Sequence, residues 1–332
     1  MIGVGIIGAG GIARGHAKAY QADERMKLIA FADVDPEAAK SAAEAFSVEA
    51  CGVEDLLEHR RIQAVSICTP PTSHADLAVA ALERGKHVLI EKPVATTLAD
   101  AQRIRAAVEK AGGLKALVGQ SHRFWPANQA AKRILDRGLI GQVVTVRDEI
   151  FSSSEIAPGG PLPWRFRKDV AGGGVVMDNG IHAIDRLRYW LGREIESLEA
   201  RMWNLTAGAD VEDAAFITLS FAPRSRRSLR TSALINLNRR VPKAAGRCVA
   251  EFVGTRGSLW VETWGEVRWC TGDGQWRPVR YAKGTSALAL EVKSFGDSIL
   301  EDLPVAVSVD EATRSLEWVL RAYESASRNS RL

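Results

Sequence analysis

Short, nearly unbroken runs of apolar residues recur through the first 120 positions, each followed by a segment of helical periodicity. The runs are Val4 to Ile7, Leu28 to Ala32, Ala64 to Cys68, His87 to Glu91 and Ala116 to Gly119. None alternates as a half-buried strand would, so they read as parallel strands covered on both faces. Helices are predicted over residues 12–22, Glu37 to Phe46, about Ser73 to Arg84, and from Thr97 to the Gly112-Gly113 pair. Local start and stop signals agree with this spacing. Asp35-Pro36 supplies an N-cap and a proline at the first helical position. Thr97, with Asp100 three residues on, forms an Asp variant of the capping box, and Gly85 ends the helix before it. Strands alternating with helices mean βαβ units, hence a parallel, doubly wound α/β sheet.

The pattern changes after about residue 120. One helix, roughly Ala127 to Arg137, precedes longer strands that alternate or carry β-branched residues: Val143 to Phe151, Phe216 to Phe221, Leu229 to Asn236, Arg247 to Val253 and Ser258 to Thr263. A helix over Asn179 to Leu191 interrupts them, and another over Val309 to Ala326 ends the pattern. This half reads as an α+β domain on a large, mostly antiparallel open sheet. The expected domains are therefore 1–120 and 121–332, with the last helix packing back on the first. Ala157 to Gly174, rich in Gly and Pro, is the one long irregular segment and a candidate active-site loop.

Composition narrows the partners more than the fold. With 332 residues the chain exceeds what a single core usually organises. A net charge of +4 does not argue for nucleic acid, and the basic stretch Arg224 to Arg230 is expected on a solvated hairpin rim. No apolar run approaches the roughly 18–20 residues a membrane span needs. Four cysteines without a CxxC point to reduced thiols in the cytoplasm. The first strand begins almost at once, so no leader peptide is expected. Nine tryptophans could include a stacking wall for a sugar, though core packing is the commoner role.

Three groups of residues carry chemistry. Gly8, Gly10 and Ala13 give GxGxxA between a strand and a helix, the turn that cradles a dinucleotide pyrophosphate. Asp33 ends the second strand twenty residues beyond Ala13. There a carboxylate can hold both ribose hydroxyls and repel a 2′-phosphate, so NAD is favoured over NADP. Lys92, in Glu91-Lys92-Pro93, stands at a later strand end, on the side of such a sheet where ligands bind. In the segment Gly172-Gly173-Gly174-Val175-Val176-Met177-Asp178-Asn179-Gly180-Ile181-His182, a flexible glycine run becomes a helix. Asp178 and His182 then share one helix face, where a carboxylate can orient an imidazole acting as proton acceptor. Two ligands are too few for a metal, and none is expected.

These motifs together resemble the Gfo/Idh/MocA oxidoreductase family over essentially the whole length. The resemblance rests on GAGGIA at 8–13, ICTPPTSH at 67–74, GKHVLIEKP at 85–93 and GGGVVMDNGIHAID at 172–185, with Glu324-Ser325-Ala326 near the end. It implies a Rossmann domain binding NAD through Gly8, Gly10, Gly11, Ile12, Ala13, Asp33, Thr69, Pro70, His74, Glu91 and Lys92. Lys92 is implied to contact the reacting hydroxyl, with His182 as general acid/base and Asp178 as its partner. Arg123, Trp164 and Arg165 are implied to approach the substrate. The implied activity is hydride transfer between nicotinamide and a secondary alcohol of a sugar, polyol or related cyclic compound. Two alternatives stay open: redox-neutral glycoside hydrolysis using bound NAD, and cofactor-binding regulation without catalysis. The resemblance also implies a homodimer or homotetramer through the open face of the second domain's sheet.

Overall fold

The computed structural model describes all residues except 155, 157–159, 224, 226, 227 and 330–332. The start of the candidate loop and three arginines of the basic stretch therefore lie outside the described residues. By its contacts the chain forms two compact units, 1–121 with 285–316, and 122–284 with 317–332.

The first unit begins β1 (Ile2–Ile7), α1 (Gly11–Gln21), β2 (Met26–Ala32), α2 (Pro36–Phe46), β3 (Glu49–Cys51), α3 (Val53–Glu58), β4 (Ala64–Ile67), α4 (His74–Glu83), β5 (His87–Glu91), α5 (Leu98–Ala111) and β6 (Ala116–Gly119). Its strands form one parallel sheet in the order β3-β2-β1-β4-β5-β6. The order reverses between β1 and β4, the switch point outside which such sheets bind ligands. Every residue of β1 is buried, which explains its unbroken apolar run. Asp35 caps α2 through the N–H groups of Glu37 and Ala38, and the Thr97 hydroxyl accepts from Asp100 N–H at the start of α5. The sequence reading lacked β3 and α3. The first is three residues pairing only with β2, and the second buries only Leu56 and Leu57, so neither leaves a readable period.

The second unit contains α6 (Pro126–Asp136), β7 (Val143–Phe151), α7 (Lys168–Ala171), α8 (Ile181–Leu191), β8 (Ile195–Trp203), β9 (Ala214–Phe221), β10 (Thr231–Asn238), β11 (Arg247–Gly254), β12 (Gly257–Glu262), β13 (Val267–Thr271) and β14 (Arg277–Pro278). Its eight strands run β14-β13-β12-β11-β7-β10-β9-β8, antiparallel except for β7 with β10. Alternation along β10 buries Thr231, Ala233, Ile235 and Leu237 and leaves the opposite face open. Of the strands absent from the sequence reading, β8 and β14 are the two sheet edges and β13 is the neighbour of β14. Most of β8 faces water, so charge rather than apolar alternation dominates its pattern.

Two further helices follow, α9 (Ala287–Leu300) and α10 (Val309–Asn329). In the first unit α9 places Val292 and Phe295 in the core cluster shared with α1 and β1, and packs partly buried Leu288 against it. Leu288 sits close enough to Gly15 that a Cβ there would approach it to 2.6 Å. The sequence reading had no helix at 287–300, although its apolar spacing is helical. The chain division falls within α10, which begins in the first unit and ends in the second. No described helix is long and apolar enough to cross a membrane.

Candidate active site

The glycine turn after β1 is built for an external anion. Gly8 has φ +104, where an L side chain is strained, and a Cβ there would stand 2.6 Å from the Cys68 carbonyl oxygen. Gly10 and Gly11 differ, for a Cβ on either would meet nothing within 4 Å. Nothing in the protein therefore demands glycine at those two positions, whereas a backbone approached by pyrophosphate does. No side chain caps the α1 N-terminus, so its first N–H groups remain available. Ala13 is fully buried under the helix, and Ile12 is exposed at the rim. Asp33, at the end of β2, accepts the N–H of Ala9 at 2.7 Å and of Asp35 at 3.0 Å. Its carboxylate thus stands beside the turn, and these residues fit a dinucleotide.

The loops after β4 and β5 are tied together by His74. Its Nδ1 lies 2.8 Å from the Pro93 carbonyl oxygen and its Nε2 2.9 Å from that of Thr69. Burial depresses this imidazole, and the two carbonyls only partly oppose that. His74 is therefore a brace between these two loops. Thr69 Oγ1 meets Ser73 Oγ at 2.7 Å, and Ser73 donates to the Pro70 carbonyl, closing the first loop.

Beneath Lys92 lies a buried acid–base cluster. Glu91 accepts the Lys92 N–H through Oε2 at 3.1 Å and faces His16 Nε2 through Oε1 at 2.9 Å. His16 Nδ1 reaches Ser66 Oγ at 3.4 Å, which meets the Tyr20 hydroxyl at 2.6 Å. Burial alone would raise the Glu91 carboxyl, but the hydrogen bond and charge of His16, with Lys92, hold it below the usual range. Glu291 of α9 is also fully buried, and its carboxyl oxygens have no hydrogen-bond partner. Burial, and then the Glu91 charge, push Glu291 well above the usual carboxylate range, so it is neutral. His16, Glu91 and Glu291 place ligand atoms within 4.8 Å of one another, a donor set that could hold a divalent cation. Glu91 thus fixes the strand end that carries Lys92, while Lys92 itself is half-buried.

In the second unit the glycine run is pinned, which corrects the expectation of flexibility. A Cβ at Gly173 would collide with the Tyr323 hydroxyl, and one at Gly174 with the Glu212 carbonyl. Glu212 also accepts the N–H of Gly174 at 3.2 Å, the N–H of Val176 at 2.9 Å and the Tyr323 hydroxyl at 2.8 Å. Glycine is needed here for close approach. The segment from Val176 to Gly180 is a single π-helical turn leading into α8, so the helical winding starts ahead of the Asn179 at which the helix was predicted to begin, and not as an α-helix. Such turns arise where one extra residue is accommodated, commonly at functional sites.

Asp178, in that turn, is held by two guanidinium groups. Arg239 Nη2 donates to its Oδ2 at 2.6 Å, and Arg165 Nε lies 3.4 Å from the same oxygen. Arg239 also donates to the Arg165 carbonyl at 3.0 Å, and Arg165 stacks over Trp164 at 4.3 Å. The structure therefore gathers Trp164, Arg165 and Asp178, and Arg239 joins them. Nothing local in Asn238-Arg239-Arg240 marks Arg239, because its partner lies 61 positions away. Arg123 donates two bonds of 2.7 Å to Asp185, so its guanidinium braces α8. His182, in the first turn of α8, is buried and stacks on His122.

Comparison with known proteins bears on this geometry directly. Residues 2–120 match the model of an oxidoreductase family with an NAD-binding Rossmann fold, and residues 128–260 match the GFO/IDH/MocA C-terminal domain. Inositol 2-dehydrogenase of Rhizobium meliloti (strain 1021) is 31% identical, covering 97% of this chain and 96% of its own length. The scyllo-inositol 2-dehydrogenase (NAD(+)) of Bacillus subtilis (strain 168) is 28% identical over 96% of this chain and 92% of its own. The solved structure of levoglucosan dehydrogenase in complex with NADH superposes with a TM-score of 0.87, at 25% identity, covering 98% of this chain and 97% of that one. The glycine turn with Asp33, the strand-end lysine and the Asp178–His182 segment thus occur in a chain that belongs to the Gfo/Idh/MocA family of NAD-binding oxidoreductases.

Proposed function

We propose that this NAD-dependent dehydrogenase oxidises a secondary hydroxyl of a cyclic polyol or sugar-derived ring, with NAD preferred to NADP. The observation that carries the cofactor choice is Asp33, whose carboxylate stands beside the glycine turn and offers acceptors to ribose hydroxyls. The substrate class is supported by likeness to inositol 2-dehydrogenase over 97% of the chain.

Bound nicotinamide supplies the hydride acceptor, and the protein's own groups manage the proton and the charge. His182 takes the hydroxyl proton as general base, which requires the neutral imidazole. Lys92, anchored through Glu91, stabilises the developing alkoxide as a preorganised cation. Asp178, with Arg165 and Arg239, builds a polar wall suited to ring hydroxyls, and Trp164 beside it offers a face on which a sugar can stack. The open sheet face of the second unit, with Trp203, Phe216, Leu234 and Val253 exposed on it, is the surface through which copies associate. Four free cysteines suit a cytoplasmic setting.

A panel of inositols, sugars and anhydrosugars with NAD and with NADP, followed at the absorbance of reduced nicotinamide, tests this reading. Turnover of a cyclic polyol or sugar with NAD is expected. Conversion of a glycoside without accumulation of reduced nicotinamide would replace the proposal with the redox-neutral alternative.

A further inference from the structure

His122 lies in a short helical turn ahead of α6, sixty positions before His182, yet the two rings are parallel. Their centroids are 4.1 Å apart and their planes differ by 10°. Both residues are largely enclosed, at 8% and 7% exposure. One edge of His122 is fixed by Arg186, whose Nη1 lies 3.3 Å from His122 Nδ1. Arginine can only donate, so Nδ1 accepts and the ring is neutral, with its proton on Nε2. The backbone beneath is fixed as well, since Asn128 donates to the His122 carbonyl at 2.7 Å.

Arg186 is itself held by several partners. It pairs with Asp148 through two bonds and donates to Cys248 Sγ and Thr263 Oγ1. Burial alone would lower this guanidinium, but the Asp148 charge more than offsets that, so it keeps its proton. A bonded series therefore runs from a buried ion pair, through Arg186, to a neutral ring lying flat on His182.

We propose that His122 is a positioning residue that fixes the plane of the His182 imidazole. This rests on His182 being the base, as argued above. The torsion that rotates an imidazole about its own stem is broad and only weakly restrained by itself. A ring stacked on one face confines it. Misplacing a reacting group by about 1 Å can cost about 10²-fold in rate. A neutral stacking partner also tolerates both states of His182, because a flat ring attracts the imidazolium formed on proton uptake.

The test compares His122→Ala and His122→Phe in the full-length enzyme, with kcat and KM measured on one good substrate. His122→Ala is expected to lower kcat by about 10- to 100-fold while both KM values stay within about 3-fold. His122→Phe retains a flat ring and should recover kcat to within about 5-fold of wild type, since planarity is the property required. If the Ala variant does not fold, His122→Leu against His122→Phe makes the same comparison of shaped against flat. Wild-type kcat in the Ala or Leu variant, or no recovery with Phe, overturns the inference. His182→Ala separates the two levels of argument. Wild-type rate in that variant removes the base assignment and this inference together. Loss of rate there, with wild-type rate in His122→Ala, overturns only the role of His122.

Discussion

The two units support function in different ways. In the first, the candidate cofactor cradle is six consecutive residues, Gly8 to Ala13, with one carboxylate from the next strand. What matters there is mostly backbone: a left-handed turn, free N–H groups at a helix start, and absent side chains at Gly10 and Gly11. In the second unit the candidate chemistry is made of side chains drawn from far apart. Asp178 meets Arg239 across 61 positions, His122 meets His182 across 60, and Asp148 meets Arg186 across 38. A backbone cradle is specified by local residue types, whereas a side-chain constellation is specified by packing. Substitutions in the second unit should therefore act through rate and alignment, and those at Asp33 through affinity and cofactor choice.

The largest effect should come from His182→Ala. With the positioned acceptor gone, the rate should fall by about 10²–10⁴-fold. With His182 as the proposed base, alcohol oxidation needs the neutral imidazole, so kcat/KM should rise with pH through one ionisation and then level. The variant should lose that limb. A pH–rate profile that keeps the limb without His182 would move the base elsewhere, with Lys92 the next candidate.

Lys92→Met should follow, at about 10²–10³-fold in kcat, because the stem is kept while the charge and donors are lost. NAD affinity, measured by titration, should change little. A rate within a few-fold of wild type would make Lys92 a loop residue and sharpen the contrast between the units, since the first would then contribute no side chain to the chemistry.

Asp33→Ala should weaken NAD and raise the relative turnover with NADP, because the carboxylate proposed to bind ribose hydroxyls and repel a 2′-phosphate is gone. The comparison is kcat/KM with each cofactor in both proteins. Equal or better turnover with NADP in the wild type would overturn the assignment of Asp33.

The smallest effect, on stability alone, should come from Glu291→Gln. Glu291 titrates far higher in the folded chain than its ordinary value of 4.5, so the folded state holds its proton more tightly than the unfolded state does. Stability is then lost as pH rises above about 4.5 and toward the folded value. Glutamine removes that dependence. The variant's Tm should exceed the wild type's by a margin that grows between pH 5 and pH 8. A margin independent of pH would mean that Glu291 is ionised in the folded protein.

Much of the first unit was legible because its signals are local. Asp35-Pro36 and Thr97 mark helix starts whatever surrounds them, and uniform apolar runs follow from burial on both faces. The edge strands β3, β8 and β14, and the short β13 beside β14, were not legible, since strands that are very short or face water leave no apolar period. The π-helical turn was invisible for a related reason: the predicted helix began at Asn179, and Glu212 and Tyr323, which engage the backbone just ahead of it, lie far away in sequence.

By itself the sequence marked most strands and helices of the first 120 residues, β3 and α3 excepted, together with the glycine turn and Asp33, and it singled out Lys92, Asp178 and His182 as candidates. Those follow from residue type and spacing, which act over one or two turns of chain. The tertiary structure decided the partners. Asp178 is held by Arg239 and Arg165, Arg123 is engaged by Asp185, the glycine run is pinned, and His182 lies against His122. Hydrogen bonds and ring contacts reach only a few ångströms, so residues sixty positions apart become partners only once packing has brought them within that range.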